Sequence, residues 1–298
     1  MSVVKPRVVL ISRPTEYELL LARHGTRGQA GFFLQTRGQH IDEVEARHQA
    51  FTRALELVSG AIPADLRRTR VTRRDLDRFV FEPDDVVMVL GQDGLVANTA
   101  KYLSGQPVIG LNPDRTHHDG VLVPHAPDRA GRLLGAVLAG RAELELRTMV
   151  QAELDDGQRL LALNEIYVGH RSHQSSRYRV TFADASEHQS SSGVIFATGT
   201  GATGWARSIS RERRESFELP RPSERRLCFF VREAFPSVAT GTELTQGLIE
   251  SGARVEIVSE MSEGGVLFGD GIESDAAELS WGMRARIGVA EVVLRLVR

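Results

Sequence analysis

The chain has 298 residues, 41% of them hydrophobic and 26% charged, a composition typical of a folded protein with a sizeable core. Its 37 Lys and Arg residues nearly balance its 39 Asp and Glu residues, so a nucleic-acid partner is not expected. Cys228 is the only cysteine, which excludes an internal disulfide and favours a reducing compartment. The sequence shows neither a signal-peptide pattern nor an apolar run of about 20 residues. We therefore expect a cytoplasmic protein without a membrane partner.

The first part of the chain alternates between apolar strands and helical patterns. Short apolar runs at residues 7–11, 86–90 and 107–112 predict core strands. Apolar residues between Ile41 and Val58 recur at spacings of three and four, which predicts an amphipathic helix that ends at Gly60. Helical patterns also follow at 95–103 and 128–138. This order predicts a parallel sheet with helical crossovers.

A glycine-rich stretch at residues 23–39 has few periodic apolar positions, which predicts a long loop. Such a loop could cover a ligand, or it could be a mobile part of the surface.

After residue 138 the pattern changes to strands in close succession. Strands are predicted at 143–150, 159–168, 177–182, 193–198, 226–231, 254–259, 265–268, 284–289 and 291–297. We therefore predict an α/β plus all-β fold, with an N-terminal parallel α/β sheet domain and a C-terminal antiparallel, sandwich-like β-rich domain. The predicted domains are residues 1–125 and 126–298, and the end of the chain could return to the first domain.

The segment Gly91-Gln92-Asp93-Gly94 directly follows an apolar strand. Glycines at such a place let backbone N–H groups approach phosphate oxygens, while one carboxylate faces the substrate. A turn at the end of a strand explains the same residues equally well, because Asp-Gly is favoured in turns.

A second polar motif, Asn164-Glu165, interrupts an apolar strand. A carboxylate next to an amide can bind the two hydroxyls of a ribose. Burying both without partners would cost about 1–3 kcal/mol each, so they need hydrogen bonds or a ligand, unless the strand is an edge that faces water.

The third motif is a Thr- and Gly-rich turn at residues 198–208, between a predicted strand and a predicted helix. Residues 199–204 fit the dinucleotide pattern G-x-G-x-x-G, so a Rossmann dehydrogenase is an alternative. It is less favoured, because no apolar strand that ends in an acidic residue follows after about 20 residues. The Gly-Lys-Ser/Thr of a Walker A loop does not occur in the sequence.

In this order, the three motifs resemble those of the NAD kinase family, in particular its mitochondrial-type branch. Residues 91–95 are similar to the family's Gly-Gly-Asp-Gly-Thr motif, Asn164-Glu165 to its Asn-Glu motif, and residues 198–208 to its Thr/Gly-rich turn. The branch is indicated by residues 108–112, 163–169 and 191–201. Gly269-Asp270-Gly271 also falls where the family has a similar segment. The sequence departs from the family at Gln92, which replaces a glycine, at Leu95, which replaces a threonine, and at Ser192, where many members have aspartate.

The resemblance implies an ATP-dependent NAD kinase, with NAD and ATP as partners, Mg²⁺ as the cofactor and a homodimeric assembly. Asp93 would be the catalytic base or orienting carboxylate at the 2′-hydroxyl of the adenosine ribose. The implied substrate-binding residues are Asn164 and Glu165 at the ribose, Thr200, Thr203, Gly204 and Ser208 in the glycine turn and on the adenine side, and Gly91 and Gly94 at the phosphate donor. The metal ligands are unknown. Two alternatives remain: a catalytically weak NAD-binding regulator, suggested by Gln92 and Leu95, and a related lipid or sugar kinase.

The remaining motifs have simpler interpretations. His117-His118 and the pair His170 and His173 are interpreted as loop histidines, because no carboxylate stands at metal-ligand spacing. Trp205 follows the glycine turn, where it could stack on a base or pack the turn.

Overall fold

The computed structural model describes residues 5–115, 120–213 and 217–298. His117 and His118 lie outside the described residues. The chain divides into two compact units. Unit 1 holds the described residues of Met1–Thr99, Gln106–Leu144 and Leu296–Arg298, and unit 2 holds Ala100–Gly105 and Glu145–Arg295.

In the described part of unit 1, four strands form a parallel sheet. They are β1 (Arg7–Ser12), β2 (Arg67–Thr72), β3 (Val86–Leu90) and β4 (Pro107–Leu111), in the order β2–β1–β3–β4. The helices that begin in this unit are α1 (Glu16–His24), α2 (Arg27–Gln35), α3 (Ile41–Gly60), α4 (Asp93–Ala100) and α5 (Ala130–Leu138). Every residue of β3 is buried, as expected for a central strand of a parallel sheet. The predicted parallel α/β sheet is confirmed.

The predicted boundary after residue 125 precedes α5, whereas α5 itself belongs to unit 1. Ala130, Leu133 and Leu134 of this helix are buried in the same apolar cluster as Met88 of β3. The last three residues of the chain also belong to unit 1. There the carbonyl oxygen of Val297 lies 3.0 Å from the ring nitrogen of His125.

The predicted loop at residues 23–39 is wrong, because most of this stretch is helical. Helix α1 begins with a capping box, in which the side chains of Thr15 and Glu18 each accept a hydrogen bond from the other's backbone N–H. It ends at Gly25, whose φ of 80° is accessible to glycine. Thr26 then caps α2. Short glycine-containing helices have weak apolar periodicity, and the capping residues were the available signal.

Unit 2 consists of two β-sheets and one longer helix among its described residues. Its strands are β5 (Leu144–Leu154), β6 (Arg159–Ala162), β7 (Glu165–His170), β8 (Ser176–Phe182), β9 (Ala185–Ser191), β10 (Val194–Ala197), β11 (Arg226–Val231), β12 (Gln246–Glu250), β13 (Arg254–Ser259), β14 (Gly265–Gly269), β15 (Ile272–Glu278) and β16 (Arg284–Val297), and its helix is α6 (Trp205–Arg213). One sheet has the order β6–β5–β16–β13–β8–β9, and the other the order β12–β11–β10–β7–β14–β15. All neighbouring strands of the second sheet pair antiparallel, and so do β6 with β5, β16 with β13, β13 with β8 and β8 with β9 in the first.

An apolar core between these sheets draws side chains from both of them, including Val180, Ile257, Phe196 and Phe229. The predicted antiparallel, sandwich-like domain is therefore confirmed. Two details of the prediction are wrong. The predicted strand at 159–168 is two strands in different sheets, and the strands predicted at 284–289 and 291–297 form one continuous strand. None of the helices in the described residues is both long and apolar enough to cross a membrane.

Candidate active site

The Gly91-Gln92-Asp93-Gly94 segment joins β3 to α4 at the carboxyl end of the parallel sheet of unit 1. The N–H of Gly91 donates to the carbonyl oxygen of Leu111 at 3.0 Å, so the pairing with β4 extends one residue past the strand. Gly94 is exposed, and nothing lies within 4 Å of the position a Cβ would take there. The loop is therefore open to a ligand at Gly94, whereas the N–H of Gly91 is already used in the sheet and Gly91 lines a cavity of unit 1.

The carboxylate of Asp93 is held by the backbone of the chain after β4. Its Oδ1 accepts from the N–H of Leu122 at 2.8 Å, and its Oδ2 accepts from the N–H of Val121 at 3.0 Å. These bonds fix the direction of the side chain at the start of α4. A carboxylate oxygen has a second lone pair, so each oxygen can still accept a hydrogen bond from a substrate hydroxyl.

Gln92 and Leu95, which depart from the NAD kinase motif, both have defined environments. Oε1 of Gln92 accepts from Nη2 of Arg13 at 2.6 Å. The Leu95 side chain is buried, and its Cδ2 lies 3.0 Å from where a Cβ of Gly91 would be. Leu95 thus closes the loop over Gly91 by apolar packing.

In unit 2, Asn164 lies where the chain passes from one sheet to the other. Strand β6 ends at Ala162 in the first sheet, and β7 begins at Glu165 in the second. The sequence analysis predicted that Asn164 and Glu165 interrupt a single strand. In the structure they lie where one strand ends and the next begins. The carbonyl oxygen of Asn164 accepts from the N–H of Thr198, at the start of the glycine turn. The second and third predicted motifs thus meet in unit 2.

The side chains of Asn164 and Glu165 make no hydrogen bond to any part of the chain that the structure describes. Both residues are only partly exposed. Burial and, to a smaller extent, the negative charge of Asp270 together raise the pKa of the Glu165 carboxyl group to about 7. A partly buried amide and carboxyl group that have no partner among the described residues are a candidate binding site for a polar ligand.

Asp270, which sequence reasoning did not select as a site residue, fixes this pair. It occupies the two-residue turn between β14 and β15 with Gly271, and both residues have positive φ (54° and 68°). Its Oδ1 accepts from the N–H of Asn164 at 2.6 Å and its Oδ2 from the N–H of Leu163 at 2.9 Å. Burial raises the pKa of Asp270 to about 6, although these N–H groups and the charge of Lys101 act in the opposite direction. The signals for Asp270 in the sequence were the Asp-Gly turn and the resemblance of residues 269–271 to a segment of the NAD kinase family.

Lys101 is a second residue that the sequence did not reveal, because it follows an apolar helix and looks like an ordinary surface lysine. Its side chain is almost fully buried in unit 2, and Nζ lies 2.6 Å from Oδ2 of Asp275. The hydroxyl of Tyr102 donates to the same oxygen at 2.7 Å. This group supplies a positive charge near Asp270.

The glycine turn is built around the buried hydroxyl of Thr198. That hydroxyl donates to the carbonyl oxygen of Leu163 at 2.5 Å and accepts from the N–H groups of Thr200 and Gly201. A Cβ on Gly201 would lie 2.2 Å from the carbonyl oxygen of Asn164, so only glycine allows this approach. Thr200 is buried, and its hydroxyl accepts from Arg147 at 3.2 Å.

The other predicted residues of the turn lie together at the start of α6. Thr203, Gly204 and Ser208 are all exposed. The Thr203 hydroxyl donates to the carbonyl oxygen of Thr200 at 2.9 Å, and the Ser208 hydroxyl lies 3.5 Å from the carbonyl oxygen of Gly204. Thr203, Gly204 and Ser208 can therefore meet a ligand, whereas Thr200 supports the turn from within.

Trp205 lines a cavity of about 590 Å³ in unit 2, together with Tyr167 and Arg232. Its ring is nearly parallel to that of Tyr167, with centroids 6.3 Å apart, and the Arg232 guanidinium lies 4.9 Å from its centroid. His170 also lines this cavity as the last, buried residue of β7, so the interpretation of His170 as a loop residue is wrong.

Cys228 is buried as expected, and burial raises the pKa of its thiol to about 12.

This combination of a parallel α/β unit and a β-sandwich unit occurs in a solved kinase. The crystal structure of yeast NADH kinase complexed with NADH matches 98% of this chain and 83% of that chain, with a TM-score of 0.63 and 13% sequence identity. The protein therefore has the fold of that kinase.

Curated relatives confirm the resemblance to NAD kinases at the level of sequence. The chain is 38% identical to the NAD kinase of Aromatoleum aromaticum over 138 residues, and 30% identical to that of Psychrobacter arcticus over 152 residues. These matches cover 42% and 48% of this chain, and 44% and 45% of the relatives, so they span less than half the length of either relative. It is 26% identical to mitochondrial NAD kinase 2 of Rattus norvegicus over 263 residues, covering 71% of this chain and 62% of that protein. No family model matches the chain.

Proposed function

We propose that this protein is an NAD kinase that transfers the γ-phosphoryl group of ATP to the 2′-hydroxyl of the adenosine ribose of NAD, forming NADP. The observation that carries the proposal is the pair Asn164 and Glu165, whose side chains have no partner in the described residues and lie against the glycine turn. An amide and a carboxylate side by side are complementary to a ribose diol, because they supply both a donor and acceptors.

The proposed roles follow the position of each group. Asn164 and Glu165 hold the ribose, with Asp270 keeping their backbone in place. The exposed Thr203, Gly204 and Ser208 face the adenine, while Thr200 keeps the turn in shape. In unit 1, Gly91 and Gly94 admit the phosphate donor.

Asp93 is the proposed catalytic residue. A ribose hydroxyl is a weak nucleophile, so phosphoryl transfer depends on in-line positioning, charge stabilisation and a carboxylate that accepts or orients the hydroxyl proton. The two backbone N–H donors hold the Asp93 carboxylate in one direction, which reduces the entropy lost in positioning it.

Mg²⁺ stays a proposal that rests on the need to neutralise the phosphates of ATP. In the described ranges, no three His, Cys, Asp or Glu side chains group as metal ligands. Mg²⁺ is usually bound through one or two carboxylates together with substrate phosphates, so we expect it to enter with ATP.

The direct experiment is a coupled assay of NADP formation from ATP and NAD by the wild type and by Asp93→Asn. We expect the variant to lose at least about 100-fold in kcat, in the range typical of a lost general base, with little change in KM for NAD. Asp128→Asn, an exposed carboxylate of unit 1, is the matched control. Wild-type activity that survives Asp93→Asn unchanged would contradict the role of Asp93.

A catalytically weak NAD-binding regulator is the second candidate, because Gln92 and Leu95 alter the loop that carries Asp93. It predicts that NAD raises the melting temperature while no phosphoryl group is transferred. A lipid or sugar kinase would instead consume ATP with those acceptors and leave NAD unchanged. The homodimer and the cytoplasmic location stay predictions, and light scattering on the purified protein tests the first.

A further inference from the structure

A concave surface of unit 1 lies where the end of α1 meets α2. It encloses about 630 Å³, within the range of small-molecule sites, and we call it the α1–α2 surface. Its lining residues belong to these helices and to the turn after α2, and they are Arg23, His24, Gly28, Gln29, Phe32, Phe33, Thr36 and Arg37. None of them lines the cavity at Gly91, so this is a separate surface. It falls in the stretch predicted as a loop that could cover a ligand.

Two guanidinium groups of the α1–α2 surface lie against one aromatic ring. The guanidinium carbon of Arg37 is 3.8 Å from the centroid of the Phe33 ring, and that of Arg23 is 5.6 Å from it. The ring of His24 is 4.4 Å from the same centroid. Because cations are attracted to aromatic rings, Phe33 holds the two permanent positive charges near each other.

Neither arginine is neutralised by the described residues. Arg23 makes no side-chain hydrogen bond or ion pair to them. Arg37 donates to the carbonyl oxygen of Phe33 and to the hydroxyl of Thr36, both at 3.0 Å, and both acceptors are neutral. No lining residue of the surface is acidic. Two like charges held at one ring repel each other, so the arrangement favours the binding of an anion.

Arg27, on the same helix, shows the contrasting case. Its guanidinium pairs with Asp42 at 2.5 Å and with Glu45 at 2.8 Å, both on α3. The carboxylates beside α2 therefore neutralise Arg27, whereas the charges of Arg23 and Arg37 are available to a ligand.

Phe32 gives the surface an apolar part. Its side chain is 71% exposed, whereas Ala30 and Leu34 of the same helix are buried. One exposed ring is too little for membrane insertion, since an interfacial helix inserts a whole apolar face. A ring beside two guanidinium groups is instead complementary to a nucleotide, whose base stacks on aromatic rings and whose phosphate binds arginine.

We propose that the α1–α2 surface binds a soluble nucleoside phosphate, with the phosphate group on Arg23 and Arg37 and the base on Phe32. The phosphate oxygens accept hydrogen bonds from both guanidinium groups, and these charge-assisted bonds are stronger than neutral ones. The site is separate from the residues proposed for catalysis and for NAD binding. The inference therefore does not rest on the proposed function.

NMR signals of the arginine Nε–H groups report binding at this surface directly. AMP should shift the signals of Arg23 and Arg37, which Arg23→Met and Arg37→Met identify, and should leave Arg74, exposed and outside the surface, unshifted. Arg23→Met should weaken the binding of AMP seen at Arg37 about tenfold, because charge-assisted hydrogen bonds are lost. Arg74→Met is the matched control and should bind as the wild type does. Unshifted signals of Arg23 and Arg37, or an affinity unchanged by Arg23→Met, would overturn the proposal.

The contact with the base is tested with inorganic phosphate and with Phe32→Ala. Phosphate should shift the same two signals but bind more weakly than AMP. Phe32→Ala should lower the affinity for AMP to that for phosphate and keep the melting temperature, because the ring is exposed. If the wild type binds both probes equally, or Phe32→Ala binds AMP as the wild type does, the nucleoside part is overturned.

Vesicles of phosphatidylcholine with phosphatidic acid present a phosphate group on a membrane. We expect no more protein to sediment with them than with phosphatidylcholine alone. Sedimentation that Arg23→Met abolishes would overturn the assignment to a soluble nucleotide. A protein that forms NADP without a response of Arg23 and Arg37 to AMP would contradict this inference alone, and the response without NADP formation would contradict the proposed function alone.

Discussion

Oδ1 of Asp270 lies 2.6 Å from the backbone nitrogen of Asn164, and this contact sets the position of the candidate ribose-binding pair. The second oxygen of the same carboxylate binds the N–H of Leu163 at 2.9 Å. One side chain thereby holds the two residues at which the chain passes between the sheets of unit 2. Asp270 is a positioning residue, since it acts through the backbone of the residues that face the ligand.

Asp270→Asn should raise KM for NAD by about 10-fold or more, since an amide has one acceptor oxygen and leaves one buried N–H without a partner. Asparagine tolerates the positive φ at this turn, so the backbone conformation is retained. Steady-state kinetics with varied NAD, with Asp156→Asn in an exposed turn as the control, checks this. An unchanged KM for NAD would argue against a positioning role.

The affinity for NAD should rise with pH through about 7, the value to which burial raises the pKa of Glu165. Ribose hydroxyls donate best to the ionised carboxylate, which forms above this pKa. In Glu165→Gln, a plot of log kcat/KM for NAD against pH should lose this rise. A profile of the same shape in both proteins would exclude Glu165 as the titrating group.

The contribution of Glu165 to the free energy of unfolding should change with pH in the opposite direction, so that it falls as pH rises. The pKa of Glu165 is raised above its value in the unfolded chain, so between about pH 4 and 7 the native state holds more protons. The contribution of Glu165 to stability is therefore present at low pH and is lost as pH rises through about 7. Glu165→Gln should raise the melting temperature more at about pH 8 than at about pH 5. An equal change at both pH values would contradict this account.

Gly201→Ala should disrupt the glycine turn, because its Cβ would lie 2.2 Å from the carbonyl oxygen of Asn164. We expect a loss of at least about 2 kcal/mol in the free energy of unfolding and weaker binding of NAD. Gly135→Ala, in helix α5 with nothing within 4 Å of the new Cβ, is the matched control and should be neutral or slightly stabilising. Denaturant titrations of both variants test the comparison.

Leu95→Thr, which restores the family's threonine, should destabilise this protein by about 1–3 kcal/mol. The Leu95 side chain is 3% exposed and packs over Gly91, so the smaller, polar threonine loses buried apolar surface and brings a hydroxyl into an apolar contact. Thermal unfolding checks this, and a variant as stable as the wild type would show that Leu95 does not hold the loop.

The strands and the longest helix could be predicted because their apolar periodicity is strong, as β3 and α3 show. The helices α1 and α2 could not, because their capping residues carry more information than their weak periodicity. Asn164 and Glu165 were identified as polar interruptions of an apolar run. The sequence did not show that the chain changes sheets at this interruption. The backbone there is held by Asp270, which is 106 residues away from Asn164 in sequence. Lys101 was missed for the same reason, since its burial depends on Asp275.

The central claim is tested most directly by incubating the wild type and Asn164→Ala with ATP, Mg²⁺ and NAD, and identifying the products by phosphorus NMR. We predict that the wild type forms NADP phosphorylated at the 2′-hydroxyl, in equal amount to ADP, and that Asn164→Ala forms it much more slowly at limiting NAD. If the wild type binds NAD but forms no NADP, or phosphorylates another position, this account of the protein is contradicted.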